Sequence, residues 1–186
     1  MILPDPEQLL DQLYRQLKPR IHENTALVGI YTGGVWLMEK LLQRLQTELG
    51  RDIAHGKLNA SMYRDDYARR GMKTTAQPGH IPFDVNDRHI ILIDDIFYTG
   101  RTVRAVINEL FDYGRPGLIE LAALINRSGA QLPIRPDIVG ADIPLLAHQA
   151  FELSINAQGR LHLAVTDSSQ SPSNSPDADP PDANLP

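Results

Sequence analysis

Hydrophobic side chains recur along most of the chain in two alternating patterns, one typical of helices and one typical of buried strands. Three stretches place apolar residues three and four positions apart, which predicts helices at residues 6–17, 38–49 and 103–111. The short apolar runs between them predict strands at residues 26–31, 58–62, 89–93, 118–125 and 137–140. Residues 150–155 and 160–165 flank Asn-Ala-Gln-Gly and are predicted to form a hairpin.

This alternation of strands and helices predicts the architecture. Strands that are apolar throughout are buried on both faces, and such strands form parallel sheets covered by helices. We therefore expect an α/β fold with a mostly parallel sheet flanked by helices and with a C-terminal hairpin. Ligands of such sheets bind beyond the carboxyl ends of the strands, so the residues that follow each strand are the first candidates for a functional site.

Composition favours one folded domain without disulfide bonds. The chain has 186 residues, of which 42% are apolar and 22% charged, values that are ordinary for a globular protein. It contains no cysteine, which excludes disulfides and thiolate metal sites and favours a cytoplasmic location. No run approaches the ~20 apolar residues of a membrane span, and the N-terminal residues do not resemble a signal peptide. We expect neither a membrane nor a targeting segment.

The last 21 residues differ from the rest of the chain. They hold five serines, five prolines and four aspartates but no lysine or arginine. A segment with so little apolar surface does not offset its ordering entropy, so we predict a folded domain at residues 1–165 and a disordered tail at residues 166–186. A docking tail is the alternative. These acids carry most of the net charge of −5, so the rest of the chain is nearly neutral and lacks the basic stripe that non-specific nucleic-acid binding requires.

The end of the strand predicted at residues 89–93 carries the strongest functional signal. Apolar residues run directly into Asp94 and Asp95, and a turn with Thr99 and Gly100 then leads into a helix. Unpaired N–H groups at a helix start bind phosphate, while adjacent carboxylates bind a diol or a hydrated Mg²⁺ ion. A ribose 5-phosphate fits this combination of groups. The alternative is a solvent-exposed acidic turn followed by an ordinary helix cap.

Three other segments that follow predicted strands are weaker candidates. The Thr-Gly-Gly sequence at residues 32–34 either cradles an anion with its backbone amides or forms a plain tight turn. The long charged loop that contains residues 64–66 is either a lid over the site or a solvent-exposed loop. Residues 126–129 offer backbone groups to a planar base. The chain has neither a Gly-x-x-x-x-Gly-Lys-Ser/Thr nor a Gly-x-Gly-x-x-Gly motif.

Residues 91–103 resemble the signature with which type I phosphoribosyltransferases bind phosphoribosyl pyrophosphate (PRPP). Further segments narrow the resemblance to the PyrR family, whose members are pyrimidine operon regulatory proteins and uracil phosphoribosyltransferases. These segments are residues 27–34, 63–66, 81–85, 98–105, 114–116 and 132–140. The similarity extends over roughly residues 5–165. It implies the type I phosphoribosyltransferase fold.

The resemblance also implies a role for each candidate residue. The ribose hydroxyls of PRPP would lie against Asp94 and Asp95, which would also hold Mg²⁺ through water. The 5-phosphate would bind Tyr98, Thr99, Gly100, Arg101 and Thr102, and the pyrophosphate would bind the loop of Thr32, Gly33 and Gly34. The flexible lid would contain the catalytic Arg64 together with Asp65 and Asp66. The base would lie near Asn126, Arg127 and Val139.

The implied reaction joins uracil to PRPP and gives UMP and pyrophosphate, with Mg²⁺ as the cofactor. Relatives that use 6-oxopurines place a carboxylate four residues beyond the first acid of the pair, and here that position is Tyr98, so a purine substrate is disfavoured. The family also regulates pyrimidine genes, in many bacteria by binding leader RNA when UMP or UTP is bound. A homodimer or a larger homo-oligomer is implied as well. The alternative function is a nucleotide-sensing, RNA-binding regulator with little or no turnover.

Two departures from the family pattern bear on these expectations. Many members carry Thr-Arg-Gly in the pyrophosphate loop, whereas this chain has glycine at position 33. A cation beside the pyrophosphate is therefore missing, and Gly33→Arg is expected to raise turnover. Many members also carry Asp-Arg-Gly-His-Arg-Glu where this chain reads Asn-Arg-Ser-Gly-Ala-Gln at residues 126–131. The loss of a histidine, an arginine and an acid weakens the expectation of RNA binding.

Overall fold

The structure, a computed structural model, describes residues 3–59 and 79–167. The helices are α1 (Pro6–Leu17), followed by a 3-10 turn (Lys18–Arg20), α2 (Gly33–Leu49) and α3 (Arg101–Tyr113). The strands are β1 (Thr25–Ile30), β2 (Ala54–Leu58), β3 (His89–Phe97), β4 (Leu118–Asn126), β5 (Ile138–Asp142), β6 (Gln149–Ile155) and β7 (Leu161–Asp167). The predicted lid residues Arg64, Asp65 and Asp66, and nearly all of the predicted tail, lie outside the described residues.

A central sheet of five strands organises the molecule. Its strand order is β2-β1-β3-β4-β5, and every neighbouring pair is parallel. Strands β6 and β7 form a separate antiparallel hairpin. The expected α/β class, with a parallel sheet flanked by helices and a C-terminal hairpin, is confirmed.

Two hydrophobic clusters cover the two faces of this sheet. On one face Ile91 and Ile93 of β3 pack with the leucines of α1 and α2, and the hairpin contributes Leu153, Leu161 and Leu163 to the same cluster. On the other face Ile90 and Leu92 pack with Val103 and Val106 of α3. The carboxyl end of β3, the central strand, therefore lies between the start of α2 and the start of α3.

Local sequence explains where the first two helices begin or end. Asp5 caps α1 by accepting a hydrogen bond from the Glu7 N–H at 3.0 Å, and Pro6 occupies the first helical position, where no N–H is needed. Helix α2 ends at Gly50, whose φ of 62° is left-handed. The predicted first helix and the end of the second are therefore found where the caps place them.

Three predicted elements differ from the structure. The second strand, β2, pairs with β1 over Ala54–Leu58 and so begins four residues before the predicted strand, of which residues 60–62 lie outside the described residues. Strand β3 continues through Phe97, so Asp94 and Asp95 lie within the strand and not after it. The glycines predicted to form a turn are instead the first two residues of α2, because close packing against β3 outweighs their low helix propensity. No helix in the described ranges is long and apolar enough to cross a membrane.

Candidate active site

Asp94 and Asp95 lie in the second half of the central strand β3. Asp94 is 6% exposed, and its Oδ1 accepts a hydrogen bond from the backbone N–H of Asp95 at 3.1 Å. Neighbouring residues of a strand face opposite sides of the sheet. Asp94 therefore lies on the face covered by α3, and Asp95 lies on the face covered by α2. The acid pair spans the sheet between two helix starts.

The first turn of α2 lies directly against this pair. A Cβ at Gly33 would overlap Oδ2 of Asp95 and lie 2.5 Å from its Cγ. A Cβ at Gly34 would overlap the carbonyl oxygen of Ile93 and lie 3.2 Å from the Cα of Asp94. Only glycine permits this approach. It brings the first turn of α2, whose N–H groups lack helical partners, against the backbone of β3 and the side chain of Asp95.

The five predicted phosphate-binding residues form the link between β3 and α3. Gly100 has a φ of 86°, which a side chain would disfavour, and its carbonyl accepts the first α3 hydrogen bond from the Arg104 N–H at 2.9 Å. The hydroxyl of Thr99 accepts a hydrogen bond from the Arg101 N–H at 3.3 Å. Tyr98 and Thr102 complete the segment. The turn is followed directly by a helix N-terminus, as an anion site requires.

The connection between β4 and β5 folds over this turn. The N–H of Gln131 donates to the carbonyl of Thr99 at 3.0 Å, and the Nε of Arg101 donates to the side-chain oxygen of Gln131 at 3.2 Å. Gly129 approaches Tyr98 so closely that a Cβ would lie 2.6 Å from the ring carbon Cε2. From the sequence alone Gln131 was visible only as a departure from the family pattern, and no role was assigned to it. The glycine at 129 was the one available signal, since its φ of 114° also requires glycine.

The predicted base-binding residues lie at different positions along the strands of the sheet. The Nδ2 of Asn126, at the carboxyl end of β4, donates to Oδ1 of Asp142 at 2.7 Å. Val139 lies earlier in β5, in the same row as Ala123 and Asp94, and its carbonyl accepts a hydrogen bond from Gln16 at 2.8 Å. These contacts place both residues on the β4–β5 side of the acid pair.

Arg127 is buried and contacts Tyr98. It is 7% exposed, and its guanidinium carbon lies 3.9 Å from the centre of the Tyr98 ring. The structure therefore brings together the acid pair, the α2 start, the phosphate turn and Arg127, while Val139 is separated from Asp94 by one intervening strand.

The donor set fits a magnesium ion held partly by water. Carboxylate oxygens suit Mg²⁺, which keeps several waters and uses one or two protein carboxylates together with ligand phosphates. Asp94 and Asp95 supply two such carboxylates. Within residues 3–59 and 79–167 no group of three or more His, Cys, Asp or Glu side chains is arranged to hold a metal ion. Water and the oxygens of the ligand would supply the remaining donors of such an ion.

Comparison with known proteins agrees with this geometry. Residues 5–155 match the family model described as "Phosphoribosyl transferase domain". "Bifunctional protein PyrR" of Nitrosococcus oceani is 45% identical over 163 residues, which cover 83% of this chain and 91% of that protein. The protein of the same name from Pseudomonas fluorescens is 41% identical over 167 residues, covering 88% of this chain and 97% of that one.

Solved structures with the same fold are more distant in sequence. A hypoxanthine phosphoribosyltransferase from Staphylococcus aureus gives a TM-score of 0.59 at 19% identity and covers 77% of both chains. A Leishmania tarentolae HGPRT-ase in complex with GMP gives a TM-score of 0.57 at 17% identity, covering 78% of this chain and 82% of that chain. At this identity the similarity concerns the fold alone.

Proposed function

The chain belongs to the phosphoribosyl transferase domain family and, within it, to the PyrR proteins, and we propose that it regulates pyrimidine nucleotide biosynthesis and transfers a phosphoribosyl group from PRPP to uracil. In this reaction the bond between C1 of the ribose and pyrophosphate breaks, and a bond from C1 to N1 of uracil forms. The N1 proton is lost, and the products are UMP and pyrophosphate. The observation that carries the proposal is the acid pair in β3 lying between two helix starts.

In this proposal the turn between β3 and α3 holds the 5-phosphate. Backbone N–H groups at the start of α3 point out of the helix and carry partial positive charge, and Gly100 lets the phosphate approach them. The hydroxyls of Thr99 and Thr102 add donors. The carboxylates of Asp94 and Asp95 accept hydrogen bonds from the ribose hydroxyls and so fix the orientation of C1.

The start of α2 is proposed to hold the pyrophosphate. Gly33 brings the first turn of α2 against Asp95, whereas Asp94 faces the α3 side, so each proposed anion site lies on the side of one carboxylate of the pair. Asp94 and Asp95 would hold Mg²⁺ through water. When bound, the ion neutralises the charge that grows on the leaving pyrophosphate. The catalytic role of Arg64, with Asp65 and Asp66 beside it, remains part of the proposal and lies outside the described residues.

A pyrimidine base is favoured by the residue at position 98. The ring of Tyr98 is packed between Arg127 and Gly129 and offers no carboxylate to a purine. Asn126, Arg127 and Val139 are proposed to border the uracil. Because N1 of uracil is itself acidic, positioning and charge stabilisation are sufficient without a dedicated base.

We propose a second function as the alternative, because Gly33 stands where many family members have an arginine and the pyrophosphate loop therefore lacks that cation. In this alternative the protein is a nucleotide-sensing regulator that binds UMP or UTP, and leader RNA, with little or no turnover. Sequence-specific RNA recognition targets loops and needs few charges, so the near-neutral body does not oppose it. In both functions we propose a cytoplasmic homodimer or larger homo-oligomer.

One assay separates the two functions. The protein is incubated with uracil, PRPP and Mg²⁺, and UMP is measured, with hypoxanthine in place of uracil as the specificity control. We expect UMP and no purine nucleotide. A rate equal to that of the protein-free control, together with UMP binding by calorimetry, would leave the regulator. Absence of both turnover and UMP binding would contradict both functions.

A further inference from the structure

Arg127 joins the turns that follow three neighbouring strands. Its backbone N–H donates to the carbonyl of Phe97 at 2.9 Å, at the end of β3. Its guanidinium lies over the ring of Tyr98, in the phosphate turn. Its Nη2 donates to the carbonyl of Leu146 at 3.0 Å, in the segment after β5. One side chain thus connects the edges of the site that are built from β3, β4 and β5.

The guanidinium is enclosed by protein and is not a surface group. No carboxylate in the described parts of the chain pairs with it, and its Nε is buried without a hydrogen-bond partner among those residues. Burying a cation in this way is unfavourable unless the surroundings replace its hydration. Here the face of the Tyr98 ring and the Leu146 carbonyl do so. A buried Nε is also closed to a ligand in this arrangement.

The contact with Arg127 holds the ring of Tyr98 at the beginning of the phosphate turn. Its ring is bounded by the Arg127 guanidinium and by Gly129, where a side chain would overlap it. The residues before and after it are Phe97, whose carbonyl binds the Arg127 N–H, and Thr99, whose carbonyl binds the Gln131 N–H. The contacts of Arg127 with the Tyr98 ring and the Phe97 carbonyl therefore help to fix the orientation of the phosphate turn.

We propose that Arg127 is a positioning residue: it acts on the nucleotide through the ring of Tyr98 and the backbone of Leu146 and does not contact the base. This inference rests on the proposed function, because uracil and UMP are the ligands whose binding it affects. It narrows the place beside the uracil that is proposed above for Arg127: the side chain borders the base site and acts on it only through its neighbours. A planar guanidinium lies flat on the ring of Tyr98 while one of its nitrogens donates to the Leu146 carbonyl, so a lysine does not replace it.

A double-mutant cycle distinguishes action through Tyr98 from contact with the base. UMP affinity by calorimetry and the KM for uracil are measured for Arg127→Met, Tyr98→Leu and the double variant. We expect each single change to weaken UMP binding about tenfold, the factor that ~1.4 kcal/mol produces, and the double change to weaken it no further. Arg127→Lys should behave as Arg127→Met.

Arg135→Met is the matched control. Arg135 belongs to the same β4–β5 connection, but it is exposed and donates to the carbonyls of Leu132 and Ile134. Its replacement should leave UMP binding unchanged. Additive effects of the two single changes, or full rescue by Arg127→Lys, would overturn the proposal, since either result indicates a direct or purely charge-dependent contact with the ligand.

A ligand-free measurement keeps the test independent of the proposed function. Hydrogen exchange is followed in residues 143–149, where the N–H of Gln149 donates to the Leu146 carbonyl at 3.0 Å. Arg127→Met should accelerate exchange there several-fold and leave α2 unchanged; unaltered exchange in residues 143–149 would overturn the positioning role. A protein that shows this acceleration but binds no UMP would support the positioning role and contradict the proposed function instead.

Discussion

Gly33 lies so close to Asp95 that the side chain of Asp95 excludes any side chain at position 33. A Cβ at position 33 would lie 2.5 Å from Cγ and 2.8 Å from Cβ of Asp95 and would overlap Oδ2. The overlap includes the Cβ of Asp95, which rotation of its side chain does not move away. A residue other than glycine at 33 therefore displaces either β3 or the start of α2.

This contact reverses the sequence-based expectation for Gly33→Arg. The sequence alone predicts that the added cation raises turnover, whereas the structure predicts that it displaces Asp95. We expect Gly33→Ala and Gly33→Arg both to weaken PRPP binding at least about tenfold, or ~1.4 kcal/mol. Calorimetry with PRPP and Mg²⁺ measures this, with Gln43→Ala on the exposed side of α2 as the control. A Gly33→Arg variant with higher affinity or turnover would contradict the contact.

The acid pair should be required for PRPP binding but not for folding. In the combined Asp94→Asn and Asp95→Asn variant, an asparagine oxygen at 94 can still accept the N–H of residue 95. Two negative charges are removed from one strand, so the melting temperature should stay equal or rise. We expect loss of detectable PRPP binding and of UMP formation. Asp52→Asn, an exposed acid, is the control, and undiminished PRPP affinity in the double variant would reject the assignment of the pair.

The elements that the sequence predicted well are those with local signals. Helix α1 has a capping Asp5, a proline at its first position and a leucine stripe, and its predicted and observed bounds agree. Strand β2 has no such signal. Its sequence, Ala-His-Gly-Lys-Leu, shows no apolar run, and its position follows from pairing with β1, residue by residue from Ala26 with Ala54 to Ile30 with Leu58.

The candidate site likewise has parts that the sequence predicts and parts that appear only in the folded structure. The acid pair and the phosphate turn are contiguous in the sequence, so their combination was visible. The contact between Tyr98 and Arg127 joins residues separated by all of α3 and β4, and no pattern in the sequence connects them. The glycine at 33 was visible as a departure from a family pattern. The reason for it, the side chain of Asp95, became visible only in the fold.

A polar network at the opposite, amino end of the sheet should contribute to stability and not to binding. Glu120 pairs with Arg20, and its Oε2 accepts a hydrogen bond from Nε2 of His89 at 2.8 Å, while Nδ1 of His89 lies 3.1 Å from Oγ1 of Thr25. Glu120→Gln should lower the free energy of unfolding by about 1–3 kcal/mol, because it leaves half-buried groups unpaired.

Thermal and urea unfolding, with UMP calorimetry beside them, check this prediction. The matched control is Glu39→Gln, which breaks an exposed pair with Lys57 and should change the free energy of unfolding by less than about 1 kcal/mol. An equal effect of the two substitutions, or weaker UMP binding in Glu120→Gln, would show that the network has a different role.

Glu109 should destabilise the protein at neutral and alkaline pH. Burial raises the pKa of Glu109, and the nearby charge of Asp112 raises that pKa further, while the Asn59 N–H lowers it. Its Oε2 is buried without a hydrogen-bond partner in the described part of the chain. A carboxyl whose pKa is higher in the folded than in the unfolded state stabilises folding at low pH, and this contribution is lost as the pH rises through the folded-state pKa.

The neutral amide in Glu109→Gln should therefore raise the melting temperature at about pH 8 by roughly 2–4 °C, a gain of ~1 kcal/mol. The gain should disappear near about pH 4, below the pKa of an unfolded glutamate. Melting curves across this range test the sign, with the exposed Glu152→Gln as control. A gain that is the same at both pH values would mean that loss of charge at 109 is not its cause.

The last strand marks where the chain can be shortened. In β7, Thr166 pairs with Ala150 and Asp167 pairs with Gln149, two residues beyond the domain end predicted from composition. Leu161 and Leu163 of the same strand are buried in the cluster that includes α1, and the N–H of Leu161 donates to Glu7 at 2.9 Å.

A chain ending at Asp167 should keep the melting temperature and UMP affinity of the full chain, because the removed residues offer almost no apolar surface. A chain ending at Ile155 loses two buried leucines, each contributing about 1.5–3 kcal/mol, and leaves β6 unpaired, so its melting temperature should fall by at least several degrees. A comparable fall on ending the chain at Asp167 would show that the Ser/Pro/Asp-rich residues pack against the domain, and an unchanged melting temperature on ending it at Ile155 would show that the hairpin does not stabilise α1.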